Sequence, residues 1–193
     1  LVTAVRMGRM IYDNIKKAVS YIIAVHVPIA GVAFLPMIWH LPPILFPVHI
    51  AFLELIIDPA CSLVFESQRA EKNSMRRPPR PLTQSLLGRR LFVRSVMEGA
   101  GALMAVMAVY LWALRAGMDM DTVRGVTLIA LVVGNIALIF INVSAHGTAP
   151  VRENRVLWWV TGGAAGALAL IFAVPLLRAL FHVAVPSLFF GCV

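Results

Sequence analysis

The sequence predicts an all-α, polytopic bundle of transmembrane helices. Three observations predict it. Five apolar stretches of bilayer-crossing length recur along the chain. Charged residues make up 13% of the sequence, against about 25% in a soluble domain. The lysines and arginines gather in some connecting segments and avoid others, as topology signals do.

Residues 1–17 are polar and basic, with Arg6, Arg9, Lys16 and Lys17. Ile11, Ile15, Val19 and Ile22 recur at helical spacing, so a helix is expected to start outside the bilayer and continue into it. No Pro or Gly interrupts Tyr12 to Tyr21. The first span is expected over 18–39. It holds His26 and Pro28, and Pro36 stands near its far end. Pro28 leaves the Ala24 carbonyl without its i+4 donor and disfavours α geometry at Val27. Trp39, His40 and Pro42-Pro43 mark an interface and a turn.

The second span, 44–65, holds His49, Glu54 and Asp58. Residues 66–90 form the longest loop, with a stiff basic stretch from Met75 to Pro81 expected to be extended. The third span, 91–114, carries Glu98 near its start, Gly99 and Gly101 for close packing, and Tyr110 and Trp112 at its end. Residues 115–124 make a short loop. The fourth span, 125–143, contains Asn135 and Asn142. The fifth, 156–177, opens on Trp158-Trp159 and includes Gly162-x-x-x-Gly166. A sixth, starting at about 183, is expected to be incomplete, and both ends of the sequence read as cut from a larger protein.

Loop 66–90 has seven Lys and Arg residues, the N-terminal segment four and loop 115–124 two. The N-terminus, 66–90 and 144–155 are therefore expected in the cytoplasm, with 40–43 and 115–124 outside. The net charge of +8 is explained by this bias and by lipid headgroups, so no nucleic-acid partner is expected. Cys61 and Cys192 support neither a disulfide framework nor a zinc pattern. No phosphate-binding glycine loop and no Ser/His/Asp arrangement occurs, and no catalytic residue is assigned.

Glu54 and Asp58 are the most informative pair. Each carboxylate costs a few kcal/mol at membrane depth. The i, i+4 spacing sets them on one helix face, and Leu53 should point about 100° away from Glu54. Pro59 cannot donate to the Leu55 carbonyl. Two acids, a helix break and a freed carbonyl are the parts of a cation site. No Lys or Arg stands in the middle of a span to neutralise them. His26 is expected near the acids as a ligand or proton-carrying partner, with Asn135 as a further polar group. For Glu98 and His49, snorkelling or partial hydration suffices.

Gly8-Arg-Met-Ile-Tyr-Asp-Asn-Ile-Lys-Lys17 resembles the segment leading into the fifth membrane helix of cation-pumping P-type ATPases. Pro47-Val-His-Ile-Ala-Phe-Leu-Glu-Leu-Ile-Ile-Asp-Pro59 resembles their sixth helix, and Met75-Arg-Arg-Pro-Pro-Arg-Pro81 the cytoplasmic loop after it. The resemblance implies a C-terminal membrane region, helices five to nine and the start of ten. It implies cation binding by Glu54, Asp58, His26 and Asn135, helix breaks at Pro28 and Pro59, and a coupling segment including Arg9, Tyr12, Asn14 and Lys16. Where the calcium-pump branch has oxygen-bearing side chains, this sequence has His26, Ile29 and Ile57, so a two-calcium site is not expected. The Asp-Lys-Thr-Gly-Thr phosphorylation motif does not occur in these residues. This region holds no cofactor of its own, and ATP and Mg2+ belong to the intact protein. The implied partners are the lipid bilayer, the transported cation, and the N-terminal helices and cytoplasmic domains of the same polypeptide. The implied location is a bacterial plasma membrane. The rival reading is a stand-alone small membrane protein, either a passive cation conduit or an assembly partner.

Overall fold

The computed structural model describes residues 2–68, 75, 88–144 and 154–184. The basic stretch after Met75, the middle of loop 144–155, the segment after 184 with Cys192, and the side chain of Cys61 lie outside the described residues. In chain order the elements are α1 (Val2–Ile38), α2 (Pro47–Pro59), a π-helical turn (Ala60–Val64), α3 (Arg89–Arg115), α4 (Met120–Ser144), α5 (Arg155–Ala173) and α6 (Pro175–Phe181). No strand occurs among the described residues. Among the described residues, five helical segments are long and apolar enough to cross a membrane. The protein is therefore an integral, multi-pass membrane protein.

α1 is one helix of 37 residues. At 1.5 Å per residue it is about 55 Å long, nearly twice the roughly 30 Å of hydrocarbon. Pro28 and Pro36 lie inside it without ending it. Near Pro28 the third helix comes very close: a Cβ on Gly99 would collide with the Ala24 carbonyl oxygen and the Val27 side chain. Only a glycine permits that approach. The carbonyl that Pro28 deprives of its donor is thus covered by α3 rather than opened as a ligand. Gly31 meets Leu103 in the same seam, and Ser20 and Ser95 join hydroxyls across it at 2.7 Å. Gly101, Gly162 and Gly166 have nothing close enough to exploit a missing side chain. The Gly162-x-x-x-Gly166 spacing is therefore not a packing seam among the described residues.

α1, α3 and α4 pack on one another, while α2 lies against α4, α5 and α6 rather than along α1. The core includes Tyr21, Leu53, Phe65, Tyr110, Leu131 and Ile139. Leu53 is completely buried, so a polar substitution there would disrupt packing.

Helix ends follow local chemistry. α1 ends in a Schellman arrangement, with Leu41 N–H to Pro36 O at 2.7 Å and His40 N–H to Met37 O at 3.3 Å. The left-handed position is His40, at φ 55°. α3 closes the same way on Gly117, at φ 69°. α5 starts on Asn154, whose side chain accepts from Leu157 N–H at 3.1 Å. It stops at Ala173, short of the expected 177. Val174, extended at φ −93° and ψ 117°, precedes Pro175, whose ring disfavours α geometry in the residue before it. Pro175 then opens α6, which closes on His182 at φ 48°.

Candidate functional site

α2 begins at Pro47, whose missing N–H costs nothing at a helix start. The Phe46 N–H, exposed by that start, donates to His49 Nδ1 at 2.9 Å. His49 thus takes the place that Glu or Gln has in a capping box. Its other nitrogen donates to Phe181 O at 2.8 Å. His49 is 1% exposed, neither snorkelling nor hydrated as expected: it ties α2 to the end of α6. Tyr110, fully buried, donates to Pro42 O at 2.9 Å and fixes the segment between α1 and α2.

Along α2, Phe52, Leu53, Ile56 and Ile57 face the core, whereas Ile50, Leu55 and Asp58 are exposed and Glu54 is half-buried. Glu54 and Asp58 therefore share the open side of the helix. On α1 the open side is the stripe Ile15, Ile22, His26 and Phe34. Between the two stripes, His26 Nε2 and Glu54 Oε1 stand 3.8 Å apart. His26 Nδ1 is 2.7 Å from the Ile22 carbonyl oxygen. A carbonyl only accepts, so Nδ1 carries the hydrogen, and in the neutral ring Nε2 presents its lone pair to Glu54.

Pro59 does not end the helical path. Ala60 N–H turns back to Ile56 O and Ile57 O, and the chain widens into the π turn Ala60–Val64. Such turns re-register a helix where the normal ladder fails, often at functional sites. Ser62 Oγ donates to the Asp58 carbonyl at 2.8 Å. No hydrogen bond to the Asp58 carboxylate occurs among the described residues.

Asn135 is fully buried in α4, and neither its amide nitrogen nor its oxygen has a hydrogen-bond partner among the described residues. No hydrogen bond joins it to His26, Glu54 or Asp58. Ile29 and Ile57 are buried within the apolar core. Glu98 is an ion-paired structural acid, with Arg94 Nε at 2.7 Å and Asn142 Nδ2 at 3.3 Å.

Of the proposed coupling residues, Asn14 is buried and donates to Gln68 O at 3.0 Å, whereas Arg9, Tyr12 and Lys16 are partly exposed. The sequence singled out Lys16 and passed over Lys17. Lys17 is the buried one, 2% exposed, with Nζ donating to Gln68 Oε1 at 3.1 Å. The signal was available in the spacing, because Asn14, Lys17, Tyr21 and Ala24 lie on the face that carries the core. Asn14 and Lys17 thus clamp α1 to the segment that follows the π turn.

These features define a polytopic membrane protein with ionisable groups within its spans. The family described as "Cation transporting ATPase, C-terminus" matches residues 42–190. The chain belongs to that family. It is 38% identical over 94 residues to the sodium/potassium-transporting ATPase subunit alpha-1 of Oreochromis mossambicus, covering 47% of this chain and 9% of that protein. It is 37% identical over 94 residues to the alpha-B subunit of Artemia franciscana, again 47% of this chain and 9% of that protein. To the calcium-transporting ATPase of Bacillus subtilis (strain 168) it is 29% identical over 112 residues, covering 56% of this chain and 13% of that protein. The chain matches only about a tenth of the length of these relatives.

Proposed function

We propose that this chain is the ion-carrying membrane part of an ATP-driven cation pump. The observation that carries the reading is the approach of His26 to Glu54, 3.8 Å across the gap between α1 and α2, with Asp58 one turn further along the same open side. Carboxylates at this depth are too costly to face lipid. The open side is therefore where further helices of the same polypeptide close the site around the ion. Asn135 supplies a polar group inside the bundle, its amide held ready for an ion or a bound water.

The part of α1 that exceeds the bilayer, with Arg9, Tyr12, Asn14 and Lys16, transmits motion from cytoplasmic domains that use ATP and Mg2+. Asn14 and Lys17 pass it on to the segment after the π turn, and so to Asp58. The N-terminus is cytoplasmic, and the membrane is the plasma membrane of a bacterium. Family membership and the basic bias of 66–90 support this orientation.

The test is ATP-dependent uptake of a panel of cations into inverted vesicles carrying the full-length protein. ATP-driven uptake of one cation, lost in Asp58→Asn, supports the reading. Uptake that proceeds down a gradient without ATP favours a passive conduit and overturns it.

A further inference from the structure

We propose, resting on the pump reading above, that His26 is a ligand to the transported ion, and that this ion is a divalent first-row metal of the iron-to-zinc range rather than calcium, sodium or potassium. Three observations carry the assignment. The Nδ1 hydrogen of His26 is committed to the Ile22 carbonyl at 2.7 Å, the outer contact that fixes tautomer and ring orientation in metal-binding histidines. The free Nε2 is 3.8 Å from Glu54 Oε1, too far for a direct hydrogen bond. An ion about 2.0–2.2 Å from each atom fits between them. Finally, the atom that His26 presents toward Glu54 is an imidazole nitrogen, not an oxygen. Calcium takes six to eight oxygens, whereas imidazole nitrogen suits iron, nickel, copper and zinc.

No group of three His, Cys, Asp or Glu side chains able to hold a metal occurs among the described residues. On the proposed assignment His26 and Glu54 are two ligands of an open site, with Asp58 one turn away and water or other helices completing the shell. A resident structural zinc has four protein ligands. An incomplete set that is half-exposed, 51% for His26 and 41% for Glu54, suits cargo that must leave.

The probe is Co2+, bound to the purified full-length protein and followed by its ligand-field absorption. Zn2+ should displace it, and a hundredfold excess of Ca2+ should not. His26→Asn and, separately, His26→Gln should weaken Co2+ binding at least tenfold. His40→Asn with His182→Asn should not, since Asn tolerates the left-handed backbone at both positions. Elution of each variant as the wild-type species on size exclusion separates ligand loss from misfolding. Displacement by equimolar Ca2+, absence of Co2+ binding, or unchanged binding in both His26 variants would overturn the proposal. ATP-driven Ca2+ uptake that survives His26→Asn leaves the pump reading standing and removes the metal assignment. His26-dependent Co2+ binding without ATP-driven movement keeps the metal site and removes the pump.

Discussion

Asp58→Asn preserves side-chain shape and removes one charge from a carboxylate with no hydrogen bond among the described residues. On the proposed reading further helices close over that charge, and in the resulting low dielectric a desolvated cation feels it strongly. Half-saturation of ATPase activity by the transported cation should rise at least tenfold, equivalent to about 1.4 kcal/mol. Leu55→Ala, on the same helix and 66% exposed, is the control and should change it little. An unchanged half-saturation in Asp58→Asn would make the acid structural. His49 differs in kind. His49→Ala leaves the Phe46 N–H and the Phe181 carbonyl without their partner and opens a cavity, at a cost of about 2–4 kcal/mol. A thermal midpoint in detergent within a degree of wild type would contradict that. Both histidines stood out in the sequence as polar residues in apolar helices. The sequence led to the expectation of His26 near the acids, but it could not say that His49 is sealed inward, because that depends on where α6 ends.

At the scale of the helix, Asp119 caps α4. Its carboxylate accepts from Thr122 Oγ1 at 2.7 Å and Thr122 N–H at 3.0 Å. These bonds, the hydroxyl first, hold its pKa below the usual aspartate value. A depressed folded pKa contributes stability that is present above the unfolded value, about 3.9, and is lost as pH falls through the folded value. Asp119→Ala should therefore cost about 1 kcal/mol at neutral pH. The gap from wild type should close as the medium is acidified below pH 4, followed by thermal unfolding in detergent. A gap that persists undiminished in acid would remove the charge from the account. α1 makes a mechanical prediction. A Gly-Pro insertion after Lys17 breaks the rod below its clamp to Gln68, so ATP turnover should persist while cation uptake falls. Uptake per ATP equal to wild type would exclude this segment from coupling. Continuity of α1 was legible in the sequence from the uninterrupted stretch Tyr12 to Tyr21. The break at Val174 was equally legible in Val174-Pro175 but is outweighed by hydropathy when a span is counted by apolar length alone.

For the whole molecule, the Lys and Arg bias of 66–90 over 115–124 is the basis for the proposed topology. In a Cys61→Ala, Cys192→Ala background, Ser74→Cys should resist an impermeant thiol reagent added outside, and Met118→Cys should react. The reverse labelling would invert the orientation.

The sequence by itself determined the membrane class, the number of long spans and the acids on one side of α2. Bilayer length, hydropathy and helical periodicity are local properties, readable from residues a few positions apart. Only the tertiary structure decided that the Ala24 carbonyl is covered by Gly99, that Lys17 rather than Lys16 is buried, and that Asn135 stays inside the bundle without a bond to His26 or Glu54. Each of these depends on how one helix is rotated and shifted against another. That rotation is set by close packing between residues far apart in the chain, where a single missing Cβ decides how near two backbones come.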